Sequence, residues 1–284
     1  MDAAIQLRAG DEAIHLLHTG DPELALRILA LLDGRLDRAA LLERVESVHG
    51  PFVGELLDAL AEWLVDAEAQ TGDLAYLARF ARPGAEAERI LAASRIVVLG
   101  HSPSVELAGR LCAEHGLAVA SSETGAPCEP SDLGPDDTLL CVSERPDLTL
   151  QLHANALAVR SGAACLFVDL SHGRHATVGP FYVPGESACI GCFRIRLREN
   201  AESHAELIAA ERLMLETGEA LPAYGTLPAH RHWVLGMAVA ELVAHRTRHR
   251  PTRTASRALT VSFEEMRVWS EPVWRVDGCE SCSG

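Results

Sequence analysis

The sequence predicts an α/β fold in two parts, and three patterns predict it. From residue 96 onward short apolar runs alternate with amphipathic stretches of helical period, as parallel strands joined by crossover helices do. Ahead of them lie a strand-like alternating pair and three short stretches with helix-capping residues. Two CxxC pairs, Cys189 with Cys192 and Cys279 with Cys282, stand far apart in the chain. At 284 residues and 48% hydrophobic the chain can bury one large core or two modest ones. The composition divides it into a domain over residues 1–70, a linker over 71–88 and a second domain over 89–284.

Residues 4–18 predict a hairpin: Ile5 and Leu7 alternate with polar neighbours, Gly10 and Asp11 make the turn, and Ile14 and Leu16 resume the alternation. Asp21 caps a first helix with Pro22 in its first turn, an apolar stripe of Leu24, Ile28, Leu31 and Leu32, and Gly34 as its stop. Asp37 caps a second, with Leu41, Leu42, Val45 and Val48 inward and Gly50 at its end. Pro51 opens a third, with Phe52, Leu56, Leu57, Leu60 and Leu64 on one side. A hairpin and three short helices make a winged-helix-like unit. DNA binding through its third helix is disfavoured by Glu55, Asp58, Glu62 and Asp66, with no arginine over 51–66. An apolar cleft between strand edge and helix suits an extended peptide, which adds a strand and buries alternate side chains. The candidate peptide-binding residues are Ile14, Leu16, Leu17, Phe52, Leu56, Leu57 and Leu60.

The pattern weakens over 71–83, and a helix over 85–93 leads into a buried strand at 96–99. Gly100 and a helix opening at Pro103, with Ser102 as cap, follow. Further strands are expected at 117–120, 139–142 and 165–168, with helices near 104–115 and 148–161, giving a doubly wound parallel sheet. The first strand-to-helix turn is where such a fold seats a nucleotide phosphate. Here it reads GHSPS, with Gly100 standing alone where close backbone approach needs several glycines, so no nucleotide is expected.

The net charge is -15, which argues against a nucleic-acid partner. All 25 basic Lys+Arg residues are arginine, which removes Schiff-base chemistry, a lysine base and any GxxxxGK[ST] phosphate loop. The longest apolar stretch, over 233–243, is broken by Glu241, and no charged-then-apolar leader precedes the first domain. Cys112, Cys128, Cys141 and Cys165 lie in or near apolar segments as reduced thiols do, so a cytoplasmic protein is expected, with no membrane partner.

Each CxxC knuckle points two soft thiolates at one vertex pair, and two knuckles supply the four ligands of a closed structural Zn2+ site. A redox dithiol needs only one pair. His172, Arg174 and His175 read as a solvated polar loop after the strand that ends at Asp169, and without a paired nucleophile no catalytic residue is named. Arg194, Arg196 and Arg198 read as the polar side of a strand or short helix. His245, Arg246, Arg248, His249, Arg250, Arg253 and Arg257 form the densest basic run, partly accounted for by a helix C-terminus and otherwise a docking surface for an acidic partner. Segments 259–263 and 266–273 predict a terminal strand pair that delivers the second knuckle to the metal.

The stretch VGPFYVPGESACIGCF over 178–193, with its Gly-Pro strand, Pro-Gly turn and first knuckle, resembles the ubiquitin-activating-enzyme-like (ThiF/MoeB-like) superfamily, whose second knuckle also comes late. With the winged-helix-like N-terminal domain, the chain is most similar to the C-protein (ocin-ThiF-like) partners of YcaO cyclodehydratases. That resemblance implies a non-catalytic, degenerate ThiF-like Rossmann-type scaffold. It would bind the leader of a ribosomal precursor peptide and present its core to a YcaO-type enzyme that makes thiazole/oxazole heterocycles. It also implies a homodimer. Adenylating members of the superfamily use a glycine-rich loop, an arginine, a lysine and a metal-binding aspartate; here the loop is replaced, lysine is absent, and Asp136, Asp137 and Asp147 match no such motif. An ATP-dependent adenylyltransferase and a zinc-bearing winged-helix DNA-binding regulator are the alternatives.

Overall fold

A computed structural model describes residues 4–9, 13–33, 35–45, 49–61, 64, 76–77, 84–123 and 133–282. The chain divides into two compact units, Met1–Ala87 and Glu88–Gly284, each taken by itself below.

In the first unit β1 (Ala4–Ala9) and β2 (Ala13–His18) pair antiparallel, with Ile5 opposite Leu17 and Leu7 opposite His15. The Asp21 carboxylate accepts the Leu24 amide at 3.0 Å and starts α1 (Pro22–Leu29). Asp37 accepts the Ala40 amide at 2.7 Å and starts α2 (Arg38–Arg44), and α3 (Gly50–Ala59) follows. Such caps satisfy amides that have no partner inside the helix. The core is one cluster of Ile5, Leu24, Ile28, Leu41, Val53, Leu56, Leu57 and Leu60 with their neighbours.

All three helices end sooner than their apolar periodicity. Leu31 and Leu32 lie beyond α1 yet still pack on this core, Val45 is already extended after α2, and Leu64 is exposed beyond α3. Apolar spacing therefore marks which face turns inward, whereas the end of a helix is set by backbone groups. The expected turn at Gly10 and Asp11, the stop at Gly34, Val48, Glu62, Asp66, Cys128 and most of the 71–83 linker lie outside the described residues.

In the second unit α4 (Gly84–Ala93) leads into β3 (Arg95–Gly100), α5 (Ser104–Glu114), β4 (Ala118–Glu123), β5 (Thr138–Ser143), α6 (Leu148–Ser161) and β6 (Ala164–Asp169). Then come β7 (His175–Tyr182), α7 (Ile190–Asn200), α8 (His204–Thr217), α9 (Pro228–Thr247), β8 (Arg257–Ser262) and β9 (Arg267–Pro272). The strands form one seven-stranded sheet in the order β4-β3-β5-β6-β7-β8-β9.

The four strands expected to be parallel are so: β4, β3, β5 and β6 run parallel, and β7, β8 and β9 extend the sheet with antiparallel pairing. The connection from β6 to β7 covers residues 170–174, too short for the crossover a parallel neighbour needs, so the chain turns back. Ser102 is not the cap of α5: that helix starts after Pro103 with no side-chain cap, and the Ser102 hydroxyl reaches Glu106 instead, at 3.4 Å. Helix α8 was not anticipated, because Leu213 and Leu215 remain about half exposed and blur its inward face.

The residues of β5 are buried throughout, as are Ile96 to Leu99 of β3, where helices cover both faces of a parallel sheet. β3 ends at Gly100 with φ 151°, where an added Cβ would stand 2.0 Å from the Val142 carbonyl oxygen of β5. Gly109 in α5 has φ in the ordinary range, and its Cβ would meet Val119 Cγ1 at a relaxed 3.6 Å. Gly100→Ala should therefore lower unfolding free energy by about 2 kcal/mol or more, whereas Gly109→Ala should be neutral or stabilising by up to about 1 kcal/mol. Urea unfolding of the two variants checks both.

Candidate metal centre and the crevice at the strand ends

The four knuckle cysteines converge. Cys189 caps the N-terminus of α7, its sulfur accepting the Cys192 amide at 3.5 Å. After β9, Cys279 and Cys282 arrive in a turn in which the Cys282 amide donates to the Cys279 carbonyl at 3.2 Å. Sulfur separations are 3.8 Å for Cys189 to Cys192, 3.7 Å for Cys189 to Cys279 and 3.6 Å for Cys192 to Cys282. All four lie within 4.8 Å of one another. Zinc–sulfur bonds of about 2.3 Å in a tetrahedron put sulfurs about 3.8 Å apart, and a disulfide needs about 2.05 Å. The donor set fits a tetrahedral metal ion and does not fit two disulfides.

Two features fix that geometry. Asn155 of α6 holds both knuckles: its carbonyl accepts the Ile190 amide at 3.4 Å and its amide donates to the Ser281 carbonyl at 3.2 Å. Gly191 lies against the second knuckle, where an added Cβ would stand 2.5 Å from Ser281 Oγ and 3.3 Å from Cys279 Sγ. Burial pushes the Cys189 thiol up and Cys282 up to about 11. Burial acts on Cys192 too, but amide hydrogen bonds, the Val276 N–H first among them, hold it below its ordinary value. A cation at the centre of four sulfurs reverses the cost of the remaining negative charges.

The second site to build is the crevice where the strand order reverses, beyond the carboxyl ends of β3 and β5. Side chains close it. His101, 4% exposed, accepts the Glu144 amide on Nδ1 at 3.3 Å and faces Asp147 from Nε2 at 3.2 Å. Asp147 also caps α6 through the Leu150 amide at 2.8 Å. Burial raises its pKa, but the bonds from His101 and Leu150 outweigh that and hold it below the usual carboxylate value. The Glu144 carboxylate accepts the Ser104 hydroxyl from the start of α5 and the Arg231 guanidinium of α9, the latter at 2.6 Å. Anionic oxygen from the protein thus occupies the ground beside the first turn of α5, where a phosphate would be drawn.

The remaining candidates fall into structural roles or stay apart. Of the cleft residues, Leu56, Leu57 and Leu60 are buried in their unit's core, Phe52 and Leu17 are partly buried, Leu16 is 59% exposed, and the Ile14 side chain lies outside the described set. His172 stacks on His175 at 4.8 Å, but His175 already belongs to β7 rather than to a loop. Arg194 and Arg198 lie on α7, a helix, and clamp Glu211 of α8, with Arg194 Nε 2.8 Å from the carboxylate. Arg196 turns outward to Glu199 at 3.0 Å. In the basic run Arg246 binds Ser94, Arg250 binds Glu241 and Arg257 binds Ser270, which leaves Arg248 and Arg253 as its exposed arginines outside such pairs. Asn155, Glu144, Arg231 and Glu211 were not singled out from the sequence. Their only signal there is a polar residue inside an apolar helix or at a strand end.

No protein-family model matches the chain, and no curated protein does. Among solved structures it is similar to a heterocyclase in complex with substrate and cofactor, with TM-score 0.75 and 20% identity over 96% of this chain and 37% of that one. It is similar to the heterocyclase TruD, with TM-score 0.74 and 22% identity over 96% of this chain and 40% of that one. It is also similar to E. coli MccB with MccA-N7isoASN, with TM-score 0.57 and 13% identity over 99% and 98% of the two chains. At these identities the likeness shows a shared mixed α/β fold. The chain spans about two fifths of the heterocyclases' length. Among the described residues no helix is long and apolar enough to cross a membrane.

Two outcomes follow. The chain purified without chelator should carry about one metal ion, and Cys279→Ser with Cys282→Ser should lose it together with thermal stability, as elemental analysis and melting will read. His245 is buried against Phe181, and burial, then Arg248 and Arg246, push its pKa down to about 4 from 6.5. The unfolded chain takes up a proton there that the folded chain refuses. This contribution is full above pH 6.5 and is lost as pH falls toward 4, so the slope of stability over that window should flatten in His245→Phe.

Proposed function

We propose that this protein is a non-catalytic scaffold of the C-protein (ocin-ThiF-like) kind. It binds the leader of a ribosomal precursor peptide and presents the core to a YcaO-type cyclodehydratase that makes azoline and azole heterocycles. The observation that carries the reading is the crevice itself. In a sheet with a strand-order reversal that crevice is the place for a nucleotide, and here Glu144, Arg231, Ser104, His101 and Asp147 spend it on one another. The likeness to heterocyclases over about two fifths of their length supports a division of labour in which the rest of the chemistry lies outside these residues.

In this reading the first unit is a winged-helix-like recognition domain. The leader adds a strand beside the hairpin, with Leu16 and Phe52 as contacts and Leu56, Leu57 and Leu60 as the floor beneath them. The second unit is a degenerate ThiF-like, Rossmann-type body. The metal is Zn2+, which in a closed tetrathiolate holds residues 189–192 to 279–282 and activates no water. The complete assembly is a homodimer with a YcaO-type partner, in the cytoplasm.

A second reading, an ATP-dependent adenylyltransferase, is favoured by two observations. The match to MccB runs over nearly all of both chains, and one MccB structure was solved with AMPCPP and MccA. The Ser143 and Ser171 hydroxyls, buried at the ends of β5 and β6, also have no partner among the described residues.

The test of the first reading is a fluorescently labelled leader from a precursor peptide encoded beside this protein. Micromolar or tighter binding is expected, about 8 kcal/mol, and Leu16→Asp should weaken it at least about tenfold with the fold intact. Absence of binding to every neighbouring leader would sink the scaffold reading.

A further inference from the structure

Among the described residues β9 is the last strand in the sheet, paired on one side only, with β8. All six of its residues are exposed, so both faces of the strand as well as its outer edge meet solvent. Val268 is 40% exposed and Trp269 37%, and the flanking Met266 and Trp274 are 70% and 65% exposed. An outer edge with free backbone groups and large apolar side chains on each face is a template for another strand.

The sequence of β9 specifies which strand. It reads Arg267-Val268-Trp269-Ser270-Glu271, with opposite charges placed symmetrically about Trp269. We propose that β9 is the surface on which a second copy of this chain docks, the two strands pairing antiparallel about a two-fold axis at Trp269. In that register Arg267 stands opposite Glu271 of the second copy, Glu271 opposite its Arg267, and the two Trp269 rings are cross-strand neighbours. Moving the axis one residue either way sets Arg267 against Trp269 or Val273 and loses both charge pairs. Within one chain Arg267 meets Glu265 only at 3.9 Å and both are largely exposed, so its guanidinium is not committed. The other face carries Val268 against Ser270, whose hydroxyl is held within its own chain by Arg257 of β8.

This deepens the proposed homodimer by naming its surface, and it uses none of the residues assigned to leader binding. A strand-edge contact falls near or below the ~1,200 Å² of a standard interface, so the dimer is weak and its concentration dependence can be measured.

Sedimentation velocity of the full chain from about 5 to about 100 µM at low salt tests it, with metal content and near-ultraviolet circular dichroism as checks on the fold. Wild type should shift from monomer to dimer. Arg267→Glu and Glu271→Arg each place like charges opposite one another twice, and each should raise the dissociation constant at least about tenfold. The double variant R267E/E271R restores both pairs and should return to within about threefold of wild type. A dimer indifferent to these reversals, or a double variant that fails to recover, overturns the surface and leaves the homodimer standing. A monomer at every concentration overturns both and assigns the two charges to keeping the edge strand single. None of these outcomes touches the scaffold reading, which is judged by leader binding.

Discussion

The second unit turns on one half-buried carboxylate. Glu144 follows β5 directly, and its Oε1 receives both the Ser104 hydroxyl at the start of α5 and the Arg231 guanidinium from α9, while its amide donates to His101. A carboxylate this enclosed, 13% exposed, is tolerable only if its lone pairs are used, and its two partners come from two separate helices. At Gly100 β3 approaches β5 so closely that an added Cβ would meet the Val142 carbonyl. The Glu144 bonds tie the end of β5 to α5 and α9.

The sulfur cluster does the same job at the other end of the sheet's history. Nothing in local propensity would bring a turn after β9 back to the first turn of α7, yet four sulfurs meet within 4.8 Å. Burying several thiols that repel as thiolates is costly without a cation, and with one the cost becomes a crosslink. Asn155 is the protein's own contribution to that crosslink, since one side chain satisfies a backbone group in each knuckle. A metal ion held by all four sulfurs would have no open coordination position and would act as a crosslink in the proposed scaffold.

What could be read from the sequence follows from the range of the forces involved. The knuckles, the caps at Asp21 and Asp37 and the buried runs of β3, β5 and β6 are local signals, and each is where the residues indicated. The antiparallel half of the sheet was less legible, because β7 takes its direction from a five-residue connection rather than from its composition. The polar lattice was legible only in part. Asp147 was noticed as an aspartate without a motif and His101 only as part of the GHSPS turn, while Glu144 and Arg231 are separated by 87 positions and look unremarkable alone. The arginines after the first knuckle show the same limit: their spacing gave a polar face, but Glu211, which turns that face inward, lies on a helix that the apolar pattern did not reveal.

The scaffold proposed for this protein would hold and position a guest and leave bond-making to a companion. With the heterocyclases and MccB the chain shares a fold, so the choice between the proposed scaffold and an adenylyltransferase rests on whether the crevice engages a nucleotide productively. ATP–pyrophosphate exchange by the full chain, with its precursor peptide present and no companion enzyme, measures this directly. The account predicts exchange no faster than the protein-free background. A rate that rises with enzyme and saturates with ATP would contradict it.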